Sequence, residues 1–299
     1  MPAAASYPLH EAARCDDVRE LAALLDAGAR TDSADEDGMT ALHVAALFGS
    51  MGAARLLLER GADVNALTVH GAWKGATPMH LAASSGKEKM TALLLAHGGD
   101  IACTGETGMT PLHAAAAKGS IAGVKKLLAR DADPNAADAH GWTPLHFAAI
   151  CGYAGIARLL LDAGAMPDAR DEYAATPLHK AAEGGHAEAA RALLSRGADT
   201  EARCGQGWTP LHEAAQWDHP VAARLLLSEG ACIDARGGGG RTPLHCAAEA
   251  GSLETSRLLL ARGADAEAQD DEGMTPLLLA ARHGRLECAK LIQKCLDDR

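Results

Sequence analysis

Aromatic side chains are scarce in this chain, nine among 299 residues: four Trp, three Tyr and two Phe. That scarcity argues against a β-sandwich or barrel, whose faces draw on aromatic and β-branched residues. Basic residues are also in deficit, 28 Lys and Arg against 39 Asp and Glu, for a formal charge of −11. Such a charge opposes phosphate backbones and anionic lipid, so neither nucleic acid nor a membrane is an expected partner. No apolar run reaches the roughly 20 residues that span a bilayer. The opening segment, residues 1–7, has no basic stretch followed by an apolar one. The eight cysteines form no C-x-x-C pair and lie far apart, which reads as reduced thiols in a cytoplasmic or nuclear protein rather than a zinc or redox site.

Small and aliphatic residues are abundant, and 48% of the chain is hydrophobic, enough for a core of closely packed helices. They recur with a fixed period. Thr-Pro-Leu-His begins at Thr110, Thr143, Thr176, Thr209 and Thr242, with variants at Thr40, Thr77 and Thr275 and a degenerate copy at Tyr7. The starts are spaced by 33 residues throughout except for one gap of 37. Nine units follow, at approximately residues 2–34, 35–71 (with a four-residue insertion), 72–104, 105–137, 138–170, 171–203, 204–236, 237–269 and 270–299.

Each part of the unit has a local reason. The Thr hydroxyl caps a helix, and Pro at the first helical position forfeits no hydrogen bond. In the unit at Thr143, Leu145, Ala148 and Ala149 form one apolar face, and Gly152 supplies the left-handed residue that ends the helix. Ile156, Leu159 and Leu160 repeat the spacing in a second helix that stops at Gly164. A pair this short cannot bury its apolar face alone, so neighbouring units must stack. Asp16, Asp131 and Asp218 replace turn glycines, a tolerable exchange because Asp visits left-handed conformations. Gln293 and Lys294 stand where inner units carry Leu or Ala, as a capping unit requires.

These motifs resemble the ankyrin-repeat family over effectively the whole chain. The resemblance implies one all-α solenoid of helix-turn-helix units with β-turn or hairpin loop tips. It also implies a monomeric, non-enzymatic module that binds another protein or peptide without a cofactor. An adaptor, scaffold or inhibitor is the leading expectation, and a regulatory or substrate-recruiting subunit of an enzyme complex, such as a ubiquitin ligase, is the alternative.

Motifs for other chemistry are incomplete. His10-Glu11 and His212-Glu213 open like H-E-x-x-H, but the fifth positions are Arg14 and Gln216. The glycines at 237–240 lack the lysine of a phosphate-binding loop. The eight motif histidines recur once per unit, which fits one repeated structural role, and no metal ligand or catalytic residue is assigned. Asn65 and Asn135 match turn asparagines that are hydroxylated in some animal members of the family, and are read here as turn residues.

In the family, partners lie on a concave face made by loop tips and first helices. Counting each unit so that its Thr is position 6, the exposed variable positions are 2, 3, 5, 13 and 14. Six of the nine aromatics fall there: Phe48, Trp73, Trp142, Tyr173, Trp208 and Trp217. Chance would place about one or two. Trp and Tyr are common anchors of interfaces, so these six are the candidate contact residues, centred on units five to seven. The lengthened loop around residues 67–75 is expected to protrude. The acidic runs at residues 35–37 and 270–272 suggest a partner with an apolar centre and basic flanks.

Overall fold

In this computed structural model, residues 7–298 are described, apart from the side chain of Ala72. The described residues form eighteen α-helices and two short 3-10 turns, with one isolated β-bridge between Ala34 and Thr40. The expected all-α architecture therefore holds.

The chain divides into two compact units, one ending at Ala139 and one beginning at His140. The first contains α1 (Pro8–Arg14), α2 (Val18–Asp26), α3 (Ala41–Phe48), α4 (Met51–Glu59), α5 (Pro78–Ser84), α6 (Glu88–Ala96), α7 (Pro111–Ala117) and α8 (Ile121–Leu128). The second contains α9 (Pro144–Ile150), α10 (Ala154–Asp162), α11 (Pro177–Glu183), α12 (Ala187–Leu194) and α13 (Pro210–Gln216). It continues through α14 (Pro220–Ser228), α15 (Pro243–Ala250), α16 (Leu253–Ala261), α17 (Pro276–Arg282) and α18 (Leu286–Asp297). Within each unit, odd-numbered helices stack on odd and even on even, and each odd helix also packs on its own partner.

Helices of seven to nine residues are too short to persist alone, and their caps and stacking sustain them. Leu42, Leu112, Leu145, Leu178, Leu211 and Leu244, two residues after the capping Thr, are all shut off from solvent. The alanines on the same helices, such as Ala148, Ala149, Ala181 and Ala182, are equally buried and let adjacent helices approach closely. Gly123 shows how closely: a Cβ there would meet the Ala83 carbonyl of the preceding repeat.

Seven of the motif histidines, all but His10 behind Tyr7, extend a Thr cap into a reciprocal capping box. The Thr40 N–H donates to His43 Nδ1 at 3.1 Å, and His43 Nε2–H donates to the Ala76 carbonyl at 3.1 Å. The same arrangement joins His80 to Met109, His146 to Ala175, His179 to Trp208, His212 to Arg241 and His245 to Met274. Since a carbonyl only accepts, Nε2 carries the hydrogen and the Nδ1 lone pair is spent on the cap. One imidazole thus starts a helix and ties the next hairpin tip to it.

The tips form hairpins, as in Asp35 N–H to Met39 carbonyl, Asp171 to Ala175, Cys204 to Trp208 and Asp270 to Met274. The first acid of three tips is consumed inside the hairpin. Asp35 accepts from Asp37 and Met39, Asp171 from Tyr173 and Ala175, and Asp270 from Glu272 and Met274. Part of the acidic tip charge is therefore turned toward the protein's own backbone. The aspartates at glycine positions also gain work: Asp16 and Asp218, at φ 57° and 54°, accept from the Ala53 and Thr255 N–H groups at the starts of α4 and α16. Asn65 bridges to the next turn through the Gly98 carbonyl and the Asp100 N–H.

Candidate functional site

The second unit brings three of the six aromatics to one concavity. Tyr173 arrives on a hairpin tip, Trp208 immediately before the capping Thr of α13, and Trp217 at the end of that helix. Together they line a cavity of about 640 Å³ with Lys180, Glu183, Glu213 and Gln216. Tyr173 and Trp217 are 67% and 56% exposed, a large apolar area for residues of this type to leave in water. Trp208 is half-buried and stacks on His212, with centroids 6.1 Å apart and planes at 17°. His179 holds the hairpin through the Trp208 carbonyl, and His212, tied to the next hairpin, holds the indole face.

Trp142 is half-buried one repeat away. Its ring packs on Phe147 at 4.9 Å, and the Lys180 ammonium lies over it at 5.0 Å. Lys180 lines the three-aromatic cavity while sitting on Trp142, so it couples the two. In the first unit Trp73 lines a separate cavity of about 470 Å³ with Met109 and Ala114, and Lys118 Nζ lies 5.6 Å above its ring. Phe48 stands apart, half-exposed beneath the Arg14 guanidinium at 5.9 Å.

The lengthened loop is a closed turn organised by buried Thr68. The Thr68 N–H donates to the Ala76 carbonyl, its hydroxyl to the Trp73 carbonyl, and the Gly75 N–H donates back to Thr68. Leu67 and Val69 are the exposed apolar residues of this loop, both half out in solvent, whereas Trp73 turns partly inward.

The charges around the three aromatics are unequal. Lys180 sits 3.3 Å from Glu183 and 3.7 Å from Asp171, and Glu172 pairs with His140 at 2.8 Å. Glu213 is in no ion pair among the described residues. Burial, reinforced by the Glu183 charge, pushes its carboxyl up to about 7. Glu183 and Gln216 occupy position 13, an exposed position of the repeat, whereas Lys180 and Glu213 at position 10 had no sequence signal.

A carboxyl raised from 4.5 to about 7 favours the fold while protonated, and its ionisation weakens the fold as pH rises through that window. Gln mimics the protonated form. Glu213→Gln is therefore expected to gain on the order of 2 kcal/mol at about pH 8 and nothing at about pH 4. Urea unfolding at the two pH values checks this, and an unchanged midpoint at the higher pH contradicts it.

Among the described residues no three His, Cys, Asp or Glu side chains converge to hold a metal ion, and no helix is long and apolar enough to cross a membrane. A family model described as ankyrin repeats (3 copies) matches the chain in overlapping windows, residues 3–68, 67–138, 107–171, 165–237 and 234–297.

Proposed function

The chain belongs to the ankyrin-repeat family, a family of protein–protein interaction modules, and from that premise we propose that it acts as an adaptor or inhibitor that captures a partner protein on its second unit, through Tyr173, Trp208 and Trp217. The observation that carries this reading is the exposure of Tyr173 and Trp217 beside a fixed Trp208 at one cavity. Aromatics are few in this chain, and the faces that two of them leave in water bury nothing in the fold. Covering them with a partner recovers the hydrophobic free energy that solvation withholds. Trp142 and Trp73 are secondary contacts, each already sharing its face with a lysine. Phe48 is an outlying contact. The partner segment is apolar at its centre and basic at its flanks, matching the aromatics and the carboxylates beside them.

Partners recovered by affinity purification with the natural chain serve as the reference for variants. Trp217→Ala and Tyr173→Ala are each expected to weaken capture by about 30-fold, near 2 kcal/mol, the cost of losing an interface anchor. Tyr173 stands largely in solvent, and Trp217, whose side chain hydrogen-bonds Glu213, closes the end of α13 from outside the core, so the helical circular dichroism should not change. Full retention of the partner by both variants would sink the assignment of this face.

A further inference from the structure

The three-aromatic cavity has a charge deficit that specifies what should enter it. Its cation, Lys180, is shared among Glu183, buried Asp171 and the face of Trp142. That leaves Glu213, on a helix packed between α11 and α15, with no ion pair among the described residues; it has only the more distant field of Lys180 and a hydrogen bond from the Trp217 side chain. The charged groups facing it are Glu183 and Lys180 from α11 and, on the α15 side, Glu249, whose carboxylate is held by Arg241 at 2.6 Å. The Cys246 thiol, also on α15, is pushed up to about 12 by burial and is neutral. Gln216 lines the same cavity, with its Oε1 turned away from solvent and no hydrogen-bond partner among the described residues. A half-buried carboxylate with no ion pair among the described residues thus lies beside Trp208 and Trp217 in the same cavity lining.

We propose that this cavity is an arginine subsite, in which the guanidinium of a partner peptide lies against Trp208 and Trp217 and donates to Glu213. Four features select arginine over other residues. Aromatic faces attract a flat, weakly hydrated cation more than a compact ammonium. The guanidinium offers five N–H donors in one plane, enough to serve several acceptors at once. Trp208 is pre-oriented by His212, so little ordering is needed on binding. Finally, about 640 Å³ accommodates the arginine arm together with a flanking apolar residue over Tyr173. A neutral aliphatic residue would leave Glu213 without an ion pair, and an acidic one would add a third carboxylate beside Glu183 and Glu213.

This inference rests on the proposed binding role of the same face. Its test uses the whole chain and three capped pentapeptides, Ala-Ala-X-Ala-Ala, with X arginine, lysine or citrulline. Citrulline keeps the shape of arginine and removes its charge. Binding is followed at about pH 8 by the indole N–H resonances of Trp208 and Trp217. The arginine peptide is expected to shift both saturably in the millimolar range, at least tenfold more tightly than citrulline and measurably more tightly than lysine. Glu213→Gln should lose most of that preference over citrulline, while its circular dichroism stays that of the natural chain. Equal binding of arginine and citrulline, tighter binding of lysine, or no saturable shift with arginine overturns the subsite. If the subsite fails while Trp217→Ala still loses the natural partner, the face stands and only its ligand is wrong. If Trp217→Ala and Tyr173→Ala both keep the partner, the binding role itself falls.

Discussion

Acidification from pH 7 to about pH 4 is expected to remove on the order of 6 kcal/mol from the fold, carried by the buried capping histidines. Burial holds the imidazoles of His43, His179 and His212 down at about 4, against an ordinary 6.5. Their stabilising contribution is present above 6.5 and is lost as pH falls through 4, because the unfolded chain takes up the proton first. At roughly 1.4 kcal/mol per pH unit of displacement, each costs about 3 kcal/mol and the three together about 9. Glu213 works in the opposite sense, regaining its proton below 7 and returning about 2 to 3 kcal/mol. His80 and His245 are also held down by burial and deepen the loss. The atomic reason goes beyond desolvation: a proton on Nδ1 would face the Thr N–H that this nitrogen now accepts. Urea unfolding at a series of pH values measures the effect, and imidazole NMR titration assigns it. Resonances of these three histidines moving with midpoints near 6.5 would refute the account.

The histidines also mark where sequence reading stops. Their recurrence every 33 residues points to a repeated structural role, and the Thr-Pro start is local enough to predict each first helix to its opening residue. The bond from Nε2 runs to a carbonyl 29 residues away in most repeats, so it exists only once the next hairpin is placed. Tyr173, Trp208 and Trp217 were accessible because repeat register converts sequence position into a shared face. Their carboxylate neighbours were not: a glutamate such as Glu183 or Glu213 is unremarkable in an acidic chain, and only the folded structure reveals that both are half-buried and that Glu213 has no ion pair among the described residues. The acidic tips mislead for the opposite reason. Asp35 and Asp270 look like surface charge in sequence, but two backbone N–H groups claim each. Asp16 and Asp218, which look like tolerated substitutions, cap helices 37 residues further along the chain.

Stacking predicts a second large effect, set by a residue's place along the array rather than by its type. Leu211 and Leu277 occupy the same position in units seven and nine, each two residues after the capping Thr. Leu211 is fully buried, on a helix that packs between α11 and α15. Leu277 is only partly covered, on a helix whose one stacked first-helix neighbour among the described residues is α15. In Leu211→Ala, three carbons leave a site closed on both sides, and the helices flanking it are fixed by their own caps and cannot collapse inward. The expected cost is about 3 to 5 kcal/mol, the transfer term plus a cavity. In Leu277→Ala, water and the neighbouring exposed Leu278 can fill the space, so the cost should stay near 1 kcal/mol, mostly lost apolar contact. Urea midpoints of the two variants at pH 7 compare them directly. Nearest-neighbour coupling adds a further distinction: Leu211→Ala weakens two interfaces and should loosen the Trp208–Trp217 face, whereas Leu277→Ala should leave partner capture unchanged. Equal losses from the two leucines would mean that the stack does not close around its middle units as the buried leucines indicate.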